Sequence, residues 1–448
     1  MNQSFLKTAK RIVLGLLAIV LTGGLALITV IAKPREQIFH NRHMSDTPAT
    51  RKARIRAFIT KHLCITMLAI GLMGFFAMIA IMAKPLDPVK RAISDFSFTD
   101  IYYEILKEGT TPDTSHLITI VDMTELTNRS EIADVMSRIN RAQPKVLGVD
   151  ICFDNEGEDF EGNDSLIRVV EQYHENMVFS LKMLDWQDDS VGWNKAIHSF
   201  FHEIIPLTEG TTNMPRQLYD SMKRKVPLAE RYEGKNVPSF VAQVANRYAD
   251  QDIVKGRTDD VKINFSPTVF RVLSPQEVDR HPELIEGQIV LLGAVYEEAD
   301  RHWTPLGKIA GVELLAYGVQ SIVYSNEVKN TSPAMFAIVS LLVVFLVELL
   351  QYLYLERTGK SEGIFTKFII GSTYFMSVLT FLFTSVLLGV CFVVFKLYGI
   401  SFNLAWALTA ITFLGTSRSM YAALKDYFIA RRNKYLRPSN ENSSPEPK

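Results

Sequence analysis

The side chains that could do chemistry gather where apolar runs end. The run "GQIVLLGA" (287–294) leads into a polar loop carrying Asp300, Arg301, His302, Trp303 and Thr304. A carboxylate and an imidazole two residues apart could act as acid and base, because histidine titrates near neutral pH. The same pair could tie a loop to strand ends by hydrogen bonds, or contact a ligand. No G-x-S-x-G or H-E-x-x-H pattern accompanies them. The pattern therefore points to closing or lining a crevice rather than to turnover, and no enzyme activity is expected.

Two further carboxylates sit at the ends of apolar runs. Asp122 follows "HLITIV" and Asp150 follows "KVLGV". A pair of this kind could hold a divalent cation through oxygen, or could cap loops and helices. "VDMTE" is a distant match to the Asp-x-Asp-x-Thr nucleophile of some phosphatases, but the second Asp is missing. "FDNEGEDFEGNDS" (153–165) has six acidic residues without EF-hand spacing, and reads as a solvated loop. His198 and His202, four apart with Glu203 adjacent, could face zinc from one helix. No third ligand is visible nearby, so no metal or cofactor is expected.

The elements that must position these residues follow from periodicity. "HLITIVDM" (116–123) and "KVLGVDICF" (145–153) read as strands around a helix at 129–142, whose Ile132, Val135, Met136 and Ile139 have helical spacing. Such a βαβ unit predicts parallel neighbours joined by a right-handed crossover. "SLIRVVEQY" and "MVFSLKM" repeat helix and strand. "GQIVLLGA" is a further strand, "GVELLAYGVQSIVYS" (311–325) a helix, and "VKINFSP" (261–267) a strand ending in a turn. "WNKAIHSFFHEII" reads as an amphipathic helix. The fold class is α/β, a mostly parallel or mixed sheet with flanking helices. Ligand crevices in such sheets lie beyond the carboxyl ends of the strands. If the three strands are neighbours, Asp122, Asp150, Gly293, Asp300 and His302 share one rim.

Charge divides the chain. Residues 86–330 hold 25 Lys+Arg and 40 Asp+Glu; the remainder of the 48 basic and 48 acidic residues leaves 23 and 8 elsewhere. The acidic region is flanked by apolar runs at about 12–32, 62–84, 333–355, 368–395 and 399–416. Each approaches the roughly 20 residues that span a bilayer, so about five α-helical spans are expected. The first is the weakest, since Lys7, Lys10 and Arg11 before an apolar run also suit a signal peptide, and Met44 is an alternative start. Lys33, Arg35, Arg42, Arg51, Lys52, Arg54, Arg56 and Lys61 place segment 33–61 in the cytoplasm by the positive-inside rule. The acidic region is then exported, and the basic tail 418–448 returns inside. Glu348 lies within the third run, where a carboxylate is either functional or snorkels to the interface. Cys64, Cys152 and Cys391 suggest neither an intradomain disulfide nor a cysteine metal site.

Taken together, "ITIVDMTEL", "RSEIADVMSRINRAQPKVLGVDICF", "INFSP" and "IEGQIVLLGAVYEEADRHWTPLGKIAGVELLAYGVQSI" resemble the type 2 CHASE domain, an extracytoplasmic sensory domain of bacterial receptors. The resemblance rests most on Gly293, Ala294, Asp300, His302, Thr304, Pro305, Leu306, Gly307, Gly311, Val312 and Glu313, and covers about residues 86–330. It implies a bacterial inner-membrane protein whose exported domain senses a small molecule, and it makes Asp122 and Asp150 domain hallmarks; read from their places at strand ends and in the loop, Asp122, Asp150, Gly293, Asp300, His302 and Thr304 are the ligand-binding or loop-closing candidates. "LTN" stands where the family usually has a Trp- and Pro-rich segment, so the ligand type does not carry over. About 30 residues follow the last span, too few for an output enzyme. A membrane or cytoplasmic partner protein is therefore expected, with the bilayer as environment, a homodimer compatible with receptor practice, and no nucleic acid. A scaffold subunit of an envelope complex is the alternative; a metal-dependent hydrolase using Asp122 and Asp150 is a third reading.

Overall fold

A computed structural model describes residues 48–82, 97–109, 111–156, 158–215, 222–265, 268–359, 363, 373–401 and 405–436. The expected span at 12–32 lies outside them. Two compact units are present: Met1–Lys90, Thr331–Cys391 and Phe402–Lys448 form one, Arg91–Asn330 and Phe392–Ser401 the other.

Among the described residues the first element is helix α1 (Pro48–Met82). The sheet-bearing unit follows with α2 (Phe98–Gly109), β1 (Asp113–Asp122), α3 (Arg129–Arg141), β2 (Val146–Val149), α4 (Phe160–Tyr173) and β3 (Met177–Trp186). Next come β4 (Trp193–Ile197), β5 (Glu209–Thr211), β6 (Lys225–Pro227), β7 (Ala229–Tyr232), β8 (Lys235–Pro238) and α5 (Phe240–Ala249). The unit closes with β9 (Asp260–Lys262), β10 (Thr268–Leu273), β11 (Ile289–Gly293), β12 (Arg301–Thr304), β13 (Gly307–Ala310) and α6 (Gly311–Val323). Helices α7 (Pro333–Gly359), α8 (Thr373–Tyr398), α9 (Ala405–Thr412) and α10 (Leu414–Leu436) follow among the described residues.

The main sheet is mixed, in the order β10-β1-β11-β2-β3-β4-β7-β8, with β5 also paired to β3. The first five strands run parallel. Period-two alternation feeds two cores. Ile118, Ile120, Val146, Val178, Ile289 and Leu291 face one side, with α5 and α6; Val121, Leu147, Val149, Phe179, Val290 and Leu292 face the other, with α3 and α4. Helix α3 shows why such segments fold locally. Asn128 accepts a hydrogen bond from the Glu131 amide at 2.9 Å, and Glu131 accepts from the Thr127 amide at 3.1 Å. That cap satisfies amides the first turn leaves unpaired, and the helix then buries Ile132, Val135, Met136 and Ile139.

Two expectations are corrected. First, β1 and β2 are not neighbours: β11 inserts between them and pairs with both. A sequence-local βαβ reading cannot see a strand that arrives some 140 residues later. Second, "WNKAIHSFFHEII" is not a helix. Trp193–Ile197 pairs antiparallel with Lys182–Trp186, and turns follow through Ile205. The unpaired second half of β3 offers backbone hydrogen bonds, and sheet pairing wins over a local amphipathic pattern. Of the five expected spans, the described residues contain three as helices long and apolar enough to cross a membrane: Arg51–Ala80, Ala334–Glu356 and Thr380–Tyr398. The run at 399–416 divides between α9, of eight residues, and α10, where Arg418, Lys425, Asp426 and Arg431 end the apolar stretch.

In the helical unit, α1 begins at Pro48 rather than near residue 62, so the basic stretch is already helical. Proline suits a first helical position, where its missing N–H would have had no partner. Glu348 on α7 does not snorkel. It is fully buried, receives Arg418 Nε at 2.8 Å, and lies 3.0 Å from His62 Nδ1, itself fully buried. A carboxylate inside an apolar helix bundle persists where it is paired in this way.

Candidate functional site

The insertion of β11 creates the rim that the sequence left conditional. Asp122 stands in register with Gly293, and the Asp150 amide donates to the Leu292 carbonyl at 2.9 Å. The carboxyl ends of β1, β11 and β2 are thus side by side, and Asp122, Gly293 and Asp150 share one edge.

Their roles then diverge. Asp122 Oδ1 accepts from the Thr124 hydroxyl at 2.5 Å, the Thr124 amide at 3.1 Å and the Val295 amide at 2.9 Å. Thr124 Oγ1 in turn accepts from the Tyr296 amide at 3.1 Å. Asp122 is therefore the clamp that fixes the turn after β11. Thr304 is buried; its hydroxyl donates to the Gly307 carbonyl at 2.9 Å and accepts from the Leu306 amide at 3.2 Å. It closes the β12–β13 hairpin, where Gly307 adopts φ 100, a backbone conformation suited to glycine.

Gly293 has a packing reason. A Cβ there would sit 2.9 Å from Val312 Cβ, so only glycine lets α6 approach the strand end this closely. Gly311 has a related one: a Cβ would collide with the Asp300 carboxylate, which rests on the first turn of α6. A helix N-terminus favours negative charge there. Glu313 folds back to accept from the Ala310 amide at 2.9 Å, completing that turn. The Gly-Val-Glu start of α6 is thus the floor under Asp300.

What remains open to a ligand is Asp150, Asp300 and His302. His302 Nε2 lies 3.6 Å from Asp300 Oδ1, an electrostatic contact longer than a hydrogen bond. Asp150 is half-buried, and burial pushes its carboxyl up to about 7, with the Asp300 charge adding to the rise; Lys182 and His302 pull the other way. Among the described residues no hydrogen bond reaches either carboxylate. The arrangement is two mutually repelling carboxylates beside an imidazole and an ammonium, suited to receiving a cationic or hydrogen-bond-donating group.

Sequence reasoning missed Lys182 and Thr124. Lys182 could have been found: it breaks the apolar run "MVFSL" at the same sheet end as Asp150. Thr124 carries no such signal, because its role depends on the register between β1 and β11.

A family model for the CHASE2 domain matches residues 72–351. No curated protein and no solved structure is significantly similar. The match spans more than half of the chain and includes every rim residue named above, and on that basis the chain belongs to the CHASE2 domain family.

Proposed function

We propose that the sheet-bearing unit is the extracytoplasmic input domain of a multi-pass protein of a bacterial inner membrane, and that Asp150, Asp300, His302 and Lys182 read a small polar ligand. The observation that carries this reading is the division of labour on the rim. Asp122 and Thr304 are spent on hydrogen bonds within their loops, whereas Asp150 and Asp300 retain unsatisfied acceptors at the strand ends. A ligand that neutralises these carboxylates stabilises one arrangement of the β11–α6 loop, and only such a preference between two states can signal. The excess of Lys and Arg in the first turns of α1 and along α10 favours a cytoplasmic location for both. Those basic segments are where a partner protein would receive the signal.

The test is a thermal-shift screen of the full chain in lipid nanodiscs against amino acids, aliphatic amines and polyamines. The reading expects at least one compound to raise the melting temperature by mass action, with the rise abolished in Asp300→Asn. A chain that responds to no compound but copurifies stoichiometrically with another membrane protein would favour a scaffold instead.

A further inference from the structure

A second group of side chains lies outside the rim. His198 follows β4, His202 sits in the turn after it, and Glu209 opens β5. Both imidazoles point Nδ1 at one carboxylate oxygen: His198 lies 2.6 Å and His202 2.7 Å from Glu209 Oε2. Their rings are 4.2 Å apart.

The turn is anchored so that both rings emerge on one side. Between them Phe201 is fully buried, with its ring 5.5 Å from Phe179 and 5.8 Å from Phe153. The Glu209 side chain is only 5% exposed, and its other oxygen accepts from the Ser199 amide at 3.1 Å. The carboxylate is thus oriented from behind, as ligating carboxylates are in metal sites. The imidazoles, 41% and 42% exposed, remain free to adjust.

We propose that His198, His202 and Glu209 bind a divalent transition-metal ion of the zinc type. Two imidazole nitrogens and one carboxylate oxygen are a ligand set seen in zinc sites with an open fourth position. Calcium and magnesium prefer all-oxygen sets. The three ligand atoms already lie within 4.8 Å of one another. Bonds of about 2.0–2.2 Å in tetrahedral geometry hold ligand atoms a little over 3 Å apart, so the two His–Glu209 separations would lengthen by about 0.6 Å on binding. The three residues line a cavity of about 660 Å³ together with Gln243, Asn246 and Arg247. A water or a small anionic donor can reach the ion there. The local sequence showed no third ligand beside His198 and His202; Glu209 is brought in by the pairing of β5 with β3.

The test uses the full chain in detergent, carrying an affinity tag without histidine and stripped with chelator. Zn²⁺ is titrated calorimetrically, and Co²⁺ binding is followed by visible absorption. One Zn²⁺ per chain is expected, with affinity falling on the order of 100-fold or more in His202→Ala and in His198→Gln. The same variants should keep the metal-free melting temperature, because both rings are substantially exposed. Glu209→Gln, which preserves the side chain's shape, should weaken binding comparably. Wild-type binding no tighter than in the His198→Gln, His202→Ala double variant, or tight binding unchanged by these substitutions, would overturn the proposal.

Discussion

Replacing Asp150 with Asn removes one titrating group from the rim and predicts a change in how stability depends on pH. The folded carboxyl titrates at about 7 instead of its ordinary 3.8, chiefly through burial and secondly through the Asp300 charge. A folded value above the unfolded one means that the native state keeps a proton that the unfolded chain has lost between these pH values. Stability is therefore highest below about pH 4, falls as pH rises towards 7, and levels off above it. The gap corresponds to about 4 kcal/mol if fully expressed. Because Asp150 is half-buried, solvent screening reduces this to roughly 2 kcal/mol. Asn carries no charge and escapes the fall. For a unit of this size, about 2 kcal/mol is roughly 4–8 °C in melting temperature. The assay is thermal unfolding of full-length wild type and Asp150→Asn in the same detergent from pH 4.5 to 8. The variant should gain on the wild type as pH rises, with most of the gain in place by pH 7.5. Asp300→Asn should show part of the same gain, because it removes the second cause of the shift. Parallel pH profiles for wild type and Asp150→Asn would refute the reasoning.

Other perturbations have distinct readouts. Gly293→Ala places a methyl 2.9 Å from Val312 Cβ and should destabilise the chain by about 1–3 kcal/mol in chemical or thermal melts. Glu313→Ala leaves the Ala310 amide without its cap and should cost about 1 kcal/mol, with faster hydrogen exchange in the first turn of α6. Arg224 holds Asp100 through Nε at 2.9 Å and Nη2 at 2.6 Å, and Arg224→Lys, which cannot reproduce the fork, should lower the melting temperature more than an exposed Arg→Lys change does. Glu348→Leu leaves the Arg418 and His62 pair without its carboxylate, and should reduce the detergent-solubilised melting temperature while Glu356→Leu does so less.

Much of the fold of the sheet-bearing unit was legible because local patterns and tertiary structure agree. The helical spacing of Ile132, Val135, Met136 and Ile139 becomes α3, and the apolar runs ending at Asp122, Val149 and Gly293 become central parallel strands. Strand order was not legible, since no local signal states that β11 enters between β1 and β2. That order decides the site: it joins Asp122 to Val295 and sets Gly293 beside Asp150. Residue type alone also could not separate the carboxylates. Asp122 and Asp150 look alike at the ends of apolar runs, yet one is saturated with hydrogen bonds and the other is left repelling Asp300. The region around His198 failed for a different reason: its amphipathic pattern competed with an unpaired stretch of β3, and the hairpin pairing with β3 prevailed.

The orientation of the sheet-bearing unit is the point on which the receptor-like account depends most. Tyr296, on the exposed loop beside the rim, can be replaced by cysteine after the three native cysteines are changed to serine. A membrane-impermeant maleimide applied to intact spheroplasts then reports which side that loop faces. The account predicts full labelling of the residue 296 cysteine without lysis, while a cysteine replacing Lys425 on α10 reacts only after lysis. Protection of the residue 296 site in intact spheroplasts, with labelling restored by lysis, would contradict it.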